Sequence, residues 1–401
     1  MDAALLAWSA AHGAAGCVEP AVFGGVRGLR TTKDVAENEG VLRVPGAMLI
    51  RARAMAKQDG ELREAVGKAS GAAPEDELAA VLLREASRKA GKFAAYIKAL
   101  PRSYDLAVLW TDAEIEQLQA DFAVKRAKQG ARKLKARWRA TVPALRALGL
   151  PDDFRTFQWA AATVASRAVY VSADEPAGAL CPLGDLHNYG PPPTCGDATF
   201  DPDEDVLTWT ARRAYASGEE ALMCYGEYTN LELLEHYGFV LDGNDHDAFP
   251  LGEAGAKHLD ADLPLPDDCA LWRVVVEAGA PTLDARGEPS YALLVRARAG
   301  AIAAAAPERG GDVAAADELR GGEPLWDSRA EAAALRAISG AARADLASAP
   351  TTLAHDAALL ARAASAPLRL RLALTWRVLW KRALASRAAS CAKGSAKRRR
   401  V

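Results

Sequence analysis

The sequence predicts an α+β fold followed by an all-α C-terminal domain. Residues 22–50 carry strand signals: VFGGVRGL, a turn at Ala36–Gly40, and VLRVP closed by Pro45. From Glu75 to about Lys135 the apolar residues recur every three or four positions, which is the helical period. Beyond about Asp245 four helical segments follow, SYALLVRARAGAIAAAA, SRAEAAALRAISGAARADLA, TTLAHDAALLARA and APLRLRLALTWRVLWKRALAS, joined by Gly-, Pro- and Asp-rich loops.

The elements can be justified in order. Residues 2–12 form a short amphipathic helix with Leu5, Leu6 and Trp8 on its apolar side. After the strands, DELAAVLLREASRKAGKFAAYIKALP reads as one helix that stops at Pro101. TDAEIEQLQA begins a second, capped by Thr111 or Asp112, and FRTFQWAAATVASRAVY gives a third over Phe154–Tyr170. Ser217–Val240 is the most informative stretch: a Gly turn, a short strand ending at Tyr225-Gly226, a loop, and a helix closing at Tyr237-Gly238-Phe239. Thr229 and Glu232 make a capping box, and Gly238 stands where a helix C-terminal glycine belongs. Arg369–Arg382 reads as an exposed, basic helix face, and CAKGSAKRRRV as a disordered basic tail. For KRRRV, a solvated terminus and a nuclear-import signal both stay open.

Composition excludes several classes. A chain of 401 residues is long enough for two or three modules with cores. Its net charge of −2 leaves no global basic field, so no nucleic-acid partner is expected. The six cysteines (Cys17, Cys181, Cys195, Cys224, Cys269, Cys391) form no CxxC pair; free thiols in an intracellular protein are expected, and structural zinc is not. The histidines His12, His187, His236, His246, His258 and His355 lack ligand spacing and read as surface or supporting residues, and FDPDEDVL reads as a solvated loop, so no metal is expected. MDAALLAWSAAHG has no basic region before its apolar stretch and carries Asp2, unlike signal or transit peptides. No window reaches the ~18 apolar residues of a membrane span. A monomer without membrane contact, in the cytoplasm or nucleus, is therefore expected.

The motif GEE-x4-YG-x2-TN-x2-LL-x2-YGF in Gly218–Phe239 resembles the C-terminal half of a SET domain, the fold of protein lysine methyltransferases. Other segments extend the resemblance. Leu29–Asp34 and Glu39–Pro45 are similar to the opening of that fold; CPLGDLHNYG at 181–190 is similar to the family's VPLADLxNH. Tyr96 with Leu100-Pro101, and Trp159–Arg167, resemble the helical insertion and the following helix of the Rubisco large-subunit methyltransferase subfamily. TT-x3-D-x2-LL at Thr351–Leu360 and the helix after it resemble that subfamily's C-terminal substrate-binding domain. The resemblance covers roughly residues 5–385. It implies a SET domain of small sheets with a pseudoknot over 1–245, a helical insertion at about 51–153, a helical substrate-binding domain over 246–385, and a basic tail over 386–401. Many histone-directed SET enzymes carry flanking zinc-bound cysteine clusters, which this chain lacks.

The resemblance further implies S-adenosylmethionine as cofactor and a lysine of a non-histone protein as target. Methyl transfer to an amine is an in-line displacement on a sulfonium, which needs alignment and a neutral amine. A lysine amine ordinarily ionises near a pKa of about 10.4, so an apolar aromatic channel helps by disfavouring its charge. Tyr225 matches the catalytic tyrosine and Tyr237 the second active-site tyrosine, with Phe239 lining the same pocket. Asp185 and Asn188 match the acid and asparagine near the cofactor. Ser166-Arg167 matches a Ser-Arg pair whose arginine would fork onto the cofactor carboxylate. The turn from Gly25 through Val26 and Arg27 to Gly28 would supply backbone contacts. There are two departures: the family's Asn-His is Asn188-Tyr189, with a histidine at His187, and the first glycine of the usual GxG is Val26. One branch of the subfamily methylates a histidine in actin; retention of Tyr237 favours lysine, because that branch has lost this tyrosine. A non-catalytic binding scaffold is the reading that the two departures leave open.

Overall fold

The computed structural model describes residues 2–69, 71–192, 195–265, 269–305, 313–325 and 327–397. The chain divides into two compact units, one of residues 1–109 and 130–227, the other of 110–129 and 228–401. The division by compactness thus falls after Glu227 rather than near residue 245, and part of the expected insertion goes with the second unit.

The first unit is built on small sheets. Strands β1 (Ala15–Gly16), β4 (Gly40–Pro45), β9 (Val206–Thr210) and β8 (Asp197–Asp201) form an antiparallel sheet in that order. Strands β2 (Val18–Phe23) and β3 (Val26–Thr31) form a hairpin whose Phe23↔Val26 pair closes on Gly24 and Gly25, with φ of 55° and 86°. A two-residue turn between right-twisted strands requires this left-handed backbone, which glycine adopts without a Cβ clash. Strands β5 (Ala168–Val169) and β6 (Ala179–Leu180) pair antiparallel. Strand β7 (Asn188–Tyr189) pairs in parallel with β10 (Leu222–Met223), Asn188 opposite Leu222. Leu29, Val44, Leu180, Leu207 and Trp209 are buried in one apolar cluster with helices α1 (Asp2–Ala11), α2 (Pro74–Ser87), α3 (Ala94–Ala99) and α4 (Phe154–Arg167), through Leu5, Leu82, Tyr96 and Phe157.

Several expected elements are shortened. The single helix expected to stop at Pro101 is broken into α2 and α3, with a turn between them in which the Gly91 amide donates to the Arg88 carbonyl. Gly91 is a weak helix former, and its missing Cβ avoids a 2.9 Å approach to Arg88 Cβ. The helix capped by Thr111 runs only over Asp112–Ile115 before a 3₁₀ turn at Glu116–Leu118. Helix α4 ends at Arg167, not Tyr170, because Ala168 and Val169 pair with β6. Strand β10 ends at Met223, two residues before Tyr225.

In the second unit, α5 (Asn230–His236) starts at the predicted capping box: the Thr229 hydroxyl accepts from the Glu232 amide, and the Glu232 carboxylate accepts from the Thr229 amide. Gly238 follows with φ of 77°. Among the described residues beyond 245, strands β11 (Ala248–Pro250) and β12 (Thr282–Asp284) pair in a ribbon that buries Phe249 and Leu283. The described residues there also form helices α6 (Glu253–Asp262), α7 (Ala270–Ala278), α8 (Tyr291–Ala305), α9 (Val313–Arg320), α10 (Ser328–Ser348), α11 (Leu353–Ala361) and α12 (Leu368–Lys397). Helix α12 continues past Ala385, where the tail was expected to begin; alanine, arginine and lysine are good helix formers. Residues 398–401 of that tail lie outside the described residues.

Of the basic residues in Arg369–Arg382, Arg382 is exposed, but Arg377 and Lys381 are buried. Lys381 is fully buried and donates to Asp356 Oδ2 (2.6 Å), Gln119 Oε1 (2.7 Å) and the Thr351 carbonyl (2.7 Å). Arg377, also buried, donates to Asp356 Oδ1 (2.9 Å) and to the Gln117 carbonyl (3.1 Å). Burial would raise the Asp356 carboxyl, but hydrogen bonds from Lys381 and Thr351 and the charge of Arg377 hold it below the usual range.

Among the described residues, no helix is long and apolar enough to cross a membrane, no disulfide forms, and no group of His, Cys, Asp and Glu could hold a metal. Asp201 explains part of the acidic loop: its Oδ1 accepts from the amides of Asp203 and Glu204.

Candidate active site

Four segments distant in sequence meet in the first unit. Helix α4 delivers Arg167 in its last turn. The 3₁₀ turn Gly184–Leu186 delivers Asp185, β7 delivers Asn188 and Tyr189, and the chain leaving β10 delivers Tyr225. Hairpin β2–β3 brings Arg27 and Gly28 alongside.

At the centre, Arg167 donates from NH1 to the Asp185 carbonyl at 2.9 Å and lies 3.4 Å from Asp185 Oδ2. The same Oδ2 accepts from the Tyr96 hydroxyl at 2.7 Å. Tyr104 hydrogen-bonds Arg167 and also meets the Thr163 hydroxyl at 2.9 Å. Burial pushes the Asp185 carboxyl above the usual range; Arg167, the hydrogen bonds from Tyr96 and Arg167, and Arg27 oppose it without cancelling it. Asp185 Oδ1 and Arg167 Nε are buried with no hydrogen-bond partner among the described residues. An unsatisfied buried pair of this kind costs stability unless a ligand completes it.

Asn188 anchors the other side. Its Nδ2 donates to Glu220 Oε1 (2.7 Å) and to the Arg27 carbonyl (3.2 Å). Gly28 makes this possible, since a Cβ there would stand 2.6 Å from Glu220 Oε1 and 2.7 Å from Asn188 Nδ2. The Arg27 guanidinium itself turns away to the Ala99 carbonyl at 2.7 Å. Val26 is exposed beside the tight turn.

The Tyr225 hydroxyl donates to the His187 carbonyl at 2.5 Å. Its ring meets Tyr189 edge-on, with centroids 5.5 Å apart at 62°. Burial raises the Tyr225 pKa; Arg167 pulls it down, while Asp185 and Glu220 add to the rise, so the phenol stays protonated near neutral pH. Of the two readings, surface or supporting, His187 takes the supporting one. It is buried, stacked on Trp209 at 5.3 Å, and its Nδ1 bonds the Gly184 carbonyl at 2.8 Å. Burial pushes its pKa down to about 4, against that hydrogen bond, so the ring is neutral and the backbone carbonyl is its contribution to Tyr225.

The other expected residues have their own surroundings. Ser166 spends its hydroxyl on the Ala162 carbonyl, one helical turn back, at 2.8 Å. Gly25 serves the hairpin turn. Tyr237 and Phe239 belong to the second unit, where Tyr237 packs on Tyr228 (5.8 Å) and Phe239 (6.2 Å). Sequence reasoning missed Tyr104 and Glu220 and read Tyr96 only as a mark of the insertion. Glu220 sat inside the GEE motif and was the one with a usable signal; Tyr104 had none.

Comparison with known proteins agrees with this picture. Residues 301–384 match the Rubisco LSMT substrate-binding family model. The chain is 34% identical over 254 residues to "Protein SET DOMAIN GROUP 40" of Arabidopsis thaliana, covering 56% of this chain and 52% of that protein. It is 28% identical over 241 residues to an actin-histidine N-methyltransferase of Canis lupus familiaris, covering 55% of this chain and 39% of that one. The chain thus spans about half, or less, of the length of the curated relatives it matches. The fold is similar to the SET domain of LSMT bound to lysine and AdoHcy, with a TM-score of 0.71 at 20% identity, covering 99% of this chain and 92% of that one. It is equally similar to Rubisco LSMT bound to sinefungin and monomethyllysine, with a TM-score of 0.71 at 19% identity, over 99% of this chain and 92% of that one. The chain thus has the fold of these Rubisco LSMT structures, a C-terminal segment that matches the Rubisco LSMT substrate-binding model, and a SET-domain relative in Arabidopsis thaliana.

Proposed function

We propose that this chain is an S-adenosylmethionine-dependent protein-lysine N-methyltransferase acting on a non-histone protein. The observation that carries the reading is Tyr225, which sits in the YG motif with its phenol held protonated on the His187 carbonyl, beside the Arg167–Asp185 and Asn188–Glu220 pairs. Structural neighbours named as bound to AdoMet, AdoHcy and lysine support the cofactor and target class.

The residues present fit such a cofactor. Arg167 Nε and Asp185 Oδ1 are a buried donor and acceptor left for a polar ligand, and Gly28 leaves bare backbone beside Asn188. Arg167, Asp185 and Asn188 would hold it, with backbone from Gly25 to Gly28; Ser166 would contribute through its main chain. Bound S-adenosylmethionine supplies an electrophilic methyl on a sulfonium. Tyr225 orients by its fixed oxygen, since such weak contacts depend on placement. The resemblance assigns Tyr237 and Phe239 to the surroundings of the target amine, where aromatic walls disfavour a charged lysine and accommodate the methylated product.

The Gly28→Ala variant tests the cradle. Its Cβ would force apart the side-chain ends of Glu220 and Asn188, which can swing without unfolding the sheet. S-adenosylmethionine binding is expected to weaken by about 1–3 kcal/mol, as for loss of a hydrogen bond to a charged group. Calorimetry giving wild-type affinity would remove Asn188 from the cofactor site.

Similarity to actin-histidine N-methyltransferases favours a second reading, a histidine target. Incubating purified protein with a cell lysate and labelled S-adenosylmethionine, followed by mass spectrometry of the labelled band, separates the two. Methyl-lysine is the expected product and methyl-histidine would replace the proposal. Failure to bind the cofactor would leave a non-catalytic scaffold.

A further inference from the structure

We propose that Tyr96, contributed by the helical insertion, is a positioning residue that keeps Asp185 ionised and aimed at the cofactor. The inference rests on the reading of this cluster as an S-adenosylmethionine site.

Asp185 has two oxygens with different fates. Oδ2 is committed to the protein: it accepts from Tyr96 at 2.7 Å and stands 3.4 Å from Arg167 NH1. Oδ1 is buried and has no partner among the described residues. A carboxylate fixed through one oxygen leaves the other at a defined place, whereas a carboxylate held only by a long contact to Arg167 is free to rotate about its last bond. Tyr96 is itself locked, 1% exposed in the core cluster on the short helix α3, which ends at Ala99.

The same bond sets the charge. The groups facing Asp185 are Tyr96 from α3, Tyr104 from the loop after it, Arg167 from α4, Arg27 from β3, and Cys181 and Tyr225 from the neighbouring loops. Burial favours the neutral acid, and the Tyr96 hydroxyl is one of the few groups that favours the carboxylate. A neutral Asp185 would turn one oxygen into a donor and lose its attraction for a cationic ligand; S-adenosylmethionine carries its charge on sulfonium and ammonium. Removing the Tyr96 hydroxyl therefore raises the Asp185 pKa and shifts the acid limb of cofactor binding toward neutrality. A tyrosine that merely fills space would leave that limb where it is.

The test is the pH dependence of labelled S-adenosylmethionine binding to the full chain, from pH 5 to 8.5, for wild type, Tyr96→Phe, Asp185→Asn and the double variant, with circular dichroism as a check of folding. The acid limb of Tyr96→Phe is expected about one pH unit above that of wild type, with affinity about tenfold lower on that limb, the size of losing one hydrogen bond to a charge. Asp185→Asn is expected to abolish the limb, and adding Tyr96→Phe to it should change the pH profile no further. A folded Tyr96→Phe protein with the wild-type limb overturns the proposal. Should Tyr96→Phe not fold, a limb that survives in Asp185→Asn overturns it as well. Wild-type protein that binds no cofactor at any pH refutes the reading of the site itself, which is a separate outcome.

Discussion

Replacing Tyr225 by phenylalanine is expected to lower methyl transfer by about 10²-fold or more while cofactor affinity and fold change little. The ring packs against Tyr189 and the core, so its bulk is preserved in the variant. What disappears is one hydroxyl, whose 2.5 Å bond to the His187 carbonyl fixes an oxygen beside the Arg167–Asp185 cluster. Loss of that bond costs stability by only about 1 kcal/mol, so a large rate effect cannot be ascribed to unfolding. Single-turnover transfer from labelled S-adenosylmethionine, with binding measured separately, checks this. Wild-type turnover in the variant would remove Tyr225 from the reacting centre.

The largest stability effect is expected at Asp356. It is fully buried and holds both Lys381 and Arg377, at 2.6 and 2.9 Å. Asp356→Ala leaves two buried cations without their counter-ion, and the second unit should lose about 3–5 kcal/mol. Lys381→Met should cost less, because it removes a buried charge together with its desolvation, and Asp356→Ala with Lys381→Met should recover part of the loss. Thermal unfolding of the three variants decides it; equal melting temperatures for wild type and Asp356→Ala would mean that the network is dispensable. The pH dependence follows from the depressed Asp356 pKa. The folded protein holds this carboxyl more strongly ionised than the unfolded chain does, so its contribution is fully present above the unfolded carboxylate pKa of about 4. It is lost as pH falls through the lower folded value. Asp356→Ala should flatten that part of the acid unfolding curve.

Local features were legible in the sequence because their causes are local. The Thr229–Glu232 capping box, the Gly238 cap, the Pro45 strand end and the helical period beyond residue 290 each involve neighbours within one or two turns. The motif around Tyr225 pointed to the candidate site, and the resemblance of two other segments to SET-domain motifs implied Arg167, Asp185 and Asn188. Their mutual geometry was not legible. Asn188 meets Glu220 and Arg27 only because β7 pairs with β10 and the β2–β3 hairpin lies alongside, and Tyr96 reaches Asp185 across 89 positions of chain. No periodicity encodes such meetings, since they depend on which sheet edges find each other.

Charge pattern misled for the same reason. Arginines and lysines along a helix normally mark the solvent face, yet Arg377 and Lys381 are buried because Asp356, on another helix, and Gln119, from a distant segment, supply their acceptors. The sequence left His187 open between a surface and a supporting place; it is a buried, neutral ring stacked on Trp209. The sequence by itself determined the local elements, the caps and the residue types available for chemistry. Only the tertiary structure decided which polar groups are buried, what they pair with and how they titrate, because desolvation and pairing depend on neighbours brought together by folding.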